Sequence, residues 1–128
     1  MTKGFKGERT LMRIHIGADD RWEDRPLYEA IVELLRKEYF AGATAFRGVL
    51  GFGASAVVHR SSIFRLSSDL PIVVECVDTH ERIEGILPRL DEMIGGGLIT
   101  LEKVRVIMYR PDLPEAERTG SWPIDLGR

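Results

Sequence analysis

The most uneven feature of this 128-residue sequence is an absence of acidic side chains between Tyr39 and Ser68. The chain has 20 acids, so a stretch of this length would hold about five if they were evenly spread. Cysteine is also scarce, because Cys76 is the only one, and this excludes a disulfide within the chain.

Three further absences narrow the class of protein. No apolar run approaches the ~18 residues of a membrane-spanning helix, and the polar start MTKGFKGERT predicts no signal peptide. The net charge of −2 lacks the basic excess that nucleic-acid binding usually needs. We therefore expect a cytoplasmic protein without a nucleic-acid partner.

The composition is that of an ordinary globular protein, with 44% hydrophobic and 30% charged residues. At this length one domain is expected. We place a lead-in at residues 1–9, the domain at 10–110 and a polar, proline-containing tail at 111–128.

The acid-free stretch carries the residue types of an anion site. Glycine lets a backbone approach a ligand closely, and arginine offers a planar set of donors to phosphate or carboxylate. The candidates are Arg47, Gly48, Gly51, Gly53, His59, Arg60 and Arg65. An exposed hairpin with solvated charges accounts for the same pattern equally well.

Hydrophobic periodicity predicts elements in the order β-α-β-β-α-β. We expect strands at 11–16, 45–52, 71–77 and 103–109, a first helix from Pro26 to a stop at Gly42, and a second at 78–94. Asp78 and Glu81 form the predicted capping box of the second helix, and Pro88 should kink or split it.

This element order is that of the ferredoxin-like α+β fold, an antiparallel four-stranded sheet with both helices on one face. The first and third strands are then central. The uncovered face would carry Arg13, His15, Glu75 and Arg105 among the apolar side chains of Leu11, Val73, Val77, Ile107 and Tyr109. We expect a homo-oligomer to bury this face, with Arg13 or Arg105 paired to Glu75. Coverage by the chain's own tail is the alternative.

Three segments resemble the PII-like signalling proteins, and within them an uncharacterised branch of short, stand-alone ferredoxin-like domains. They are Gly51-Phe52-Gly53, the run HRSSIFRLSSDLP followed by IVVECVD at 59–78, and GGGLIT at 95–100. The resemblance covers roughly residues 9–110. It implies a trimer with a nucleotide in each cleft between neighbouring subunits.

Carried over by position, the resemblance assigns Gly51, Phe52 and Gly53 to the base of the loop that covers the cleft. It assigns Gly95, Gly96 and Gly97 to the turn that holds phosphates. Arg110 lies near where PII proteins send a basic residue into the adjacent subunit's cleft.

The chain departs from PII proteins at several of these positions. Ala54 and Ser55 replace a basic and an amide residue, Leu98 replaces a lysine, and Gly96 replaces an acid. These changes remove much of the apparatus for a triphosphate, so AMP, ADP or another small anion is the expected ligand. They also speak against sensing of 2-oxoglutarate.

Other chemistries find little support in the sequence. Cys76 lies in an apolar run and is predicted to be an inert buried thiol. His15, His59 and His80 have no zinc-site spacing, and the acids between Asp19 and Asp24 fit no calcium loop. We predict no catalytic residue, no metal and no required cofactor.

The leading hypothesis is a non-enzymatic regulatory module whose loop at 53–68 is ordered by ligand and contacts a partner, such as a membrane transporter. Phe52 would stack on a base, although an aromatic beside two glycines is more often a core anchor. The alternatives are a small enzyme acting on a phosphorylated or carboxylated metabolite with His59 as acid or base, and a ligand-free structural oligomer.

Overall fold

The computed structural model describes residues 5–53, 58–60 and 70–111. Within these ranges the main sheet has four antiparallel strands. The two central strands are β1 (Phe5–Gly17) and β7 (Pro71–Asp78), and the two edge strands are β4 (Thr44–Arg47) and β8 (Leu98–Tyr109). Their order across the sheet is β4-β7-β1-β8. The predicted ferredoxin-like arrangement is therefore confirmed.

Two helices cover one face of the sheet, α1 (Leu27–Lys37) and α2 (His80–Met93). Alternate residues of the central strands point toward them, because successive side chains of a strand face opposite ways. One buried core results, including Met12, Ile14, Ile31, Leu35, Val74, Ile83 and Leu90. None of the helices in the described ranges is long and apolar enough to cross a membrane.

The boundaries of α1 differ from the prediction at its C-terminal end. The helix ends at Lys37, and Tyr39 takes a left-handed conformation with φ 61° that turns the chain away. Tyr39 is therefore 70% exposed, and Phe40 is buried in its place. The expected stop at Gly42 was wrong, because the turn occurs three residues earlier.

The start of α2 also corrects the prediction. Its N-cap is Thr79, whose hydroxyl accepts a hydrogen bond from the backbone N–H of Arg82 at 3.2 Å. Asp78 instead accepts from the N–H of Thr79 at 2.8 Å and of Ala41 at 3.2 Å. The helix is not split by Pro88 but continues through it to Met93.

The charged segment after β1 forms a small hairpin of β2 (Arg21–Trp22) and β3 (Arg25–Pro26). Both residues at its tip, Glu23 and Asp24, have positive φ values of 45° and 62°, as a two-residue hairpin turn requires. The side chain of Asp20 accepts a hydrogen bond from the Gly17 N–H at 3.0 Å. These acids therefore serve a turn.

β1 and β8 continue together past the end of β7. The last pair joining β1 to β7 is Thr10–Asp78, and beyond it β1 pairs with β8 alone. A register shift interrupts this two-stranded ribbon between Phe5 and Gly7, where Gly7 has φ 102°. A bulge of this kind bends a strand pair, and glycine adopts the required backbone conformation without strain.

Candidate functional site

The glycine turn, residues Gly95 to Gly97, joins α2 to β8. Gly97 lies against the end of β1: a Cβ built there would sit 2.6 Å from the carbonyl oxygen of His15. No heavy atom lies within 4 Å of a Cβ built at Gly95 or Gly96. The first two glycines therefore present accessible backbone, and the third holds the turn to the sheet.

A second glycine-containing turn follows β4 and includes the short strand β5 (Leu50–Gly51). The N–H of Gly48 donates to the carbonyl oxygen of Pro71 at 2.7 Å. A Cβ would lie 2.6 Å from Pro71 Cγ at Gly48 and 3.0 Å from it at Gly51, whereas Gly53 has open space around it. Gly51 therefore has a packing reason to be glycine, and Gly53 does not.

The side chains around this turn are exposed. Phe52 is 70% exposed, so its interpretation as a core anchor was wrong. Arg47, at the end of β4, is exposed as well. Both are accessible to a ligand or to another protein.

The rest of the acid-free stretch is described only in part. Strand β6 (His59–Arg60) pairs with β5, which places the backbone of His59 opposite Gly51 and that of Arg60 opposite Leu50. The two predicted ligand residues therefore lie on a short hairpin that follows β4. The structure describes the backbone of these two residues. Arg65 lies outside the described residues.

Both turns stand at the same end of the sheet. There β1 ends, β7 and β8 begin, and the registers Gly17–Pro71 and His15–Leu98 set the strand ends side by side. Three strand spacings separate β4 from β8, or roughly 14 Å. The structure thus brings the predicted loop base and the predicted phosphate turn to one edge of a single chain, with the central strands between them.

Arg110 is not part of this group. It follows Tyr109 at the far end of β8, and the twelve residues of β8 that separate it from the glycine turn correspond to roughly 40 Å of strand. Within one chain Arg110 and Gly97 are therefore at opposite ends of the molecule. A site that uses both needs a second copy of the chain.

The uncovered face of the sheet, which we call the open face, carries an ion-pair network. Arg13 Nε donates to Glu75 Oε2 at 2.8 Å, and Arg13 Nη1 donates to Glu102 Oε1 at 3.2 Å. The hydrogen bond that Arg13 donates to Glu75 is the largest influence that raises the pKa of Arg13 above its usual value. The predicted Arg13–Glu75 pair is confirmed, and Glu102 is the partner that the sequence analysis missed.

Arg105 was placed on the wrong face. Residues opposite each other in an antiparallel pair share a face, so Thr100 and Glu102 lie with Arg13 and Leu11 on the open face. Arg105 pairs with Glu8 and therefore points to the helix side. Both faces of β8 mix charged and apolar residues, so the sequence offered no signal to decide its orientation.

One cross-strand row of the open face runs next to both turns. The registers join Phe46 to Val73, Val73 to His15, and His15 to Leu98. Phe46 and Leu98 are 51% and 57% exposed. This upper row is therefore apolar except for one imidazole.

A cavity of ≈ 370 Å³ lies at the opposite end of the open face. Leu11 and Val77 of the central strands form one side, and Val106 and Met108 of β8 form another. Tyr109 closes it by donating its hydroxyl hydrogen to the carbonyl oxygen of Ala41 at 2.9 Å, in the loop before β4. No sequence pattern indicates this cavity, because its walls come from the central strands, from β8 and from the loop before β4, which are far apart along the chain.

The described residues bring together no group of three His, Cys, Asp or Glu side chains that could hold a metal. His80 is engaged with Thr10 Oγ1 at 3.3 Å and with Glu84 at 2.9 Å. Cys76 is buried as predicted, and desolvation, with a smaller effect of Asp78, raises the pKa of its thiol to about 12.

Comparison with known proteins places the chain in a family. Residues 9–106 match the DUF190 family, described as "Uncharacterized ACR". UPF0166 protein MJ1524 of Methanocaldococcus jannaschii is 37% identical over 97 residues, which cover 75% of this chain and 89% of that protein. A UPF0166 protein of Aquifex aeolicus is 37% identical over 102 residues, covering 78% and 94%. The chain therefore belongs to the DUF190 family.

Solved structures with the same fold include CPII from Thiomonas intermedia K12, a nitrogen regulatory PII-like protein. One structure of CPII, bound to ADP and bicarbonate, has a TM-score of 0.52 and 15% identity and covers 83% of this chain and 93% of CPII. A second, bound to ADP, AMP and bicarbonate, has a TM-score of 0.53, with the same identity, over 83% and 92%. The expected PII-like fold is confirmed by this similarity.

Proposed function

We propose that this protein is a PII-like regulatory module that binds a small adenine nucleotide, AMP or ADP, in clefts between the subunits of a homotrimer. The observation that carries the proposal is the placement of the glycine turn and the Gly48–Gly53 turn at one end of the sheet. The space beside the Cα atoms of Gly95 and Gly96 is open, which favours the close approach of a phosphate to their backbone N–H groups.

The position of Arg110 favours a site shared between copies. It lies a full strand length away from the glycine turn, so it reaches a nucleotide only from a neighbouring subunit. The upper row of the open face, with Phe46, Val73 and Leu98, offers the apolar surface that such an assembly would bury. The similar CPII structures hold ADP and AMP, which favours these ligands for this chain too.

In the proposed module, the segment from 53 to 68 contacts the partner. The exposed side chains of Leu50 and Phe52 precede this segment, and Val58, also exposed, lies within it. Arginine contacts to a phosphate would order this segment, and the ordered segment would contact a partner such as a membrane transporter. Arg60 and Arg65 stay predicted ligand residues.

Titration calorimetry with AMP, ADP and ATP tests the proposal. We expect heat with AMP or ADP and weaker binding of ATP, because Leu98 stands where a PII lysine would meet a third phosphate. Alanine at Arg60 or Arg65 should weaken binding by about 10- to 100-fold, since charge-assisted hydrogen bonds contribute roughly 1.5–3 kcal/mol. No heat with any of the three nucleotides would contradict the proposal.

A matched pair of variants isolates the glycine turn. Gly95→Asp and Gly95→Asn are nearly the same size, and both side chains enter open space. Only the aspartate adds a negative charge beside the proposed phosphate position, so it should weaken nucleotide binding more than tenfold relative to the asparagine variant. Equal affinities in the two variants would place the phosphate elsewhere.

A further inference from the structure

The cavity described above lies at the lower end of the open face, which is the end opposite the two glycine turns. Among the described residues, none fills it. Its volume of ≈ 370 Å³ is within the range that holds a small ligand or a few large side chains. Its walls are mainly apolar: Leu11, Val77, Val106 and Met108 contribute side chains, and Ala41 and Ala43 lie in the bordering loop. The one carboxylate at its border, Glu75, is already hydrogen bonded to Arg13. An uncharged, hydrophobic occupant therefore fits it best.

The chain itself continues from the border of this cavity. Tyr109 is part of the cavity wall, and only Arg110 and Pro111 separate it from residues 112–128. Their first half, DLPEAERTG, is mostly polar, whereas the second half contains the run SWPIDL. In that run Trp122, Ile124 and Leu126 alternate with polar residues or proline, the pattern of an extended segment with one apolar side.

We propose that the Trp122–Leu126 segment docks in this cavity of its own chain, with Trp122 and Ile124 as the buried side chains. Trp122 lies eleven residues after Pro111, and a chain of this length can reach up to roughly 36 Å. The cavity spans only a few residues of strand, so Trp122 can reach any part of it. A tether this short gives an effective concentration of about millimolar, so weak apolar contacts suffice for docking.

Docking here would leave the rest of the open face accessible. The upper row with Phe46, Val73 and Leu98 lies at the other end of the strands, and the Arg13–Glu75 pair stands between it and the cavity. The tail would then cover the lower end of the sheet, and other copies of the chain the upper end. The inference is independent of nucleotide binding, and so is its test.

Tryptophan fluorescence reads out the docking directly. The chain has two tryptophans, so Trp22→Phe leaves Trp122 as the one emitter in the full-length protein. In this background we expect emission at shorter wavelength than in the guanidinium-unfolded chain, and an acrylamide quenching constant at least about threefold lower. Emission and quenching like those of the unfolded chain would overturn the proposal.

Two neighbouring residues of β8 supply a matched control. Met108 and Ile107 are both 45% exposed, but only Met108 lines the cavity. Met108→Glu should release Trp122 to solvent-like emission, because burying an unpaired carboxylate against the segment is unfavourable, whereas Ile107→Glu should leave the emission unchanged. Identical effects of the two variants would contradict docking at this cavity.

Dilution separates the chain's own segment from that of a neighbouring copy. If the segment docks within its own chain, the Trp122 emission should not depend on protein concentration. This should hold even at the concentrations at which sedimentation velocity shows that the oligomer dissociates. Loss of the short-wavelength emission on dilution would assign the cavity to a second copy and overturn the intrachain proposal.

Discussion

The Cα of Gly97 lies so close to the carbonyl oxygen of His15 that a Cβ would sit 2.6 Å from that oxygen. The contact joins the start of β8 to the end of β1, at the point where the chain leaves the glycine turn. Glycine at this position lets the turn close against the sheet, and the neighbouring Gly95 and Gly96 are free of this constraint.

The first prediction concerns this contact. Gly97→Ala should lower the free energy of unfolding by about 1–3 kcal/mol, because a backbone carbonyl has to move to admit the methyl group. Gly96→Ala is the matched control and should change stability by less than about 0.5 kcal/mol, since nothing lies within 4 Å of the added carbon. Urea unfolding of the two variants measures the difference, and equal stabilities would show that the sheet adjusts freely there.

The second prediction concerns Asp78, which links two loops. Its buried carboxylate accepts from the N–H of Ala41 and lies 3.3 Å from the guanidinium of Arg82. Asp78→Ala should cost about 2–3 kcal/mol of stability, because the Ala41 N–H loses its acceptor and the ion pair is removed. The exposed Asp91→Ala on α2 is the control. Thermal unfolding that ranks the two variants alike would contradict this role.

The third prediction concerns alkaline pH and Cys76. Burial raises the pKa of its thiol from 9.0 to about 12, so above pH 9 the unfolded chain releases a proton that the folded chain retains. This contribution to stability is complete below pH 9 and is lost as the pH rises toward 12, with a slope of up to about 1.4 kcal/mol per pH unit. The free energy of unfolding should therefore fall more steeply in this window for the parent protein than for Cys76→Ala, as measured by urea titrations. Parallel curves would exclude the effect.

The fourth prediction concerns the open face and depends on the proposed trimer. Phe46→Asp puts a carboxylate into the upper row and should weaken association by more than about 100-fold, because an unpaired buried charge costs at least about 3 kcal/mol. Tyr39→Asp, at an exposed residue beyond the end of α1, should leave assembly intact. Sedimentation velocity distinguishes trimer from monomer. A parent protein that is monomeric at high concentration would remove the basis of the prediction.

Much of the fold was accessible from periodicity. The alternation through Met12, Ile14 and Ile16 predicted the central strand, and the spacing of Leu27, Ile31 and Leu34 predicted α1, because one-sided burial imposes these periods. The sheet order followed from the handedness of crossover connections. The Arg13–Glu75 pair followed in turn, since two central strands in that order set these residues on the same face.

The errors lie where local sequence carries no information about partners. Arg105 was assigned to the open face because both sides of β8 look alike, and only its register with β1 decides between them. Phe52 was weighed as a core anchor, but among the residues that the structure describes none buries its ring, and it is 70% exposed.

The amino-acid sequence by itself determined the four strands of the main sheet and the two helices, their order, the two glycine turns and the acid-free stretch, because these depend on residues that are near neighbours along the chain. Tertiary structure decided the rest: that both turns meet at one end of the sheet, that Arg110 stands at the other, and that a cavity opens beneath Tyr109. Such features depend on strand register and on its shift beside Gly7, which are set by contacts between residues far apart in sequence.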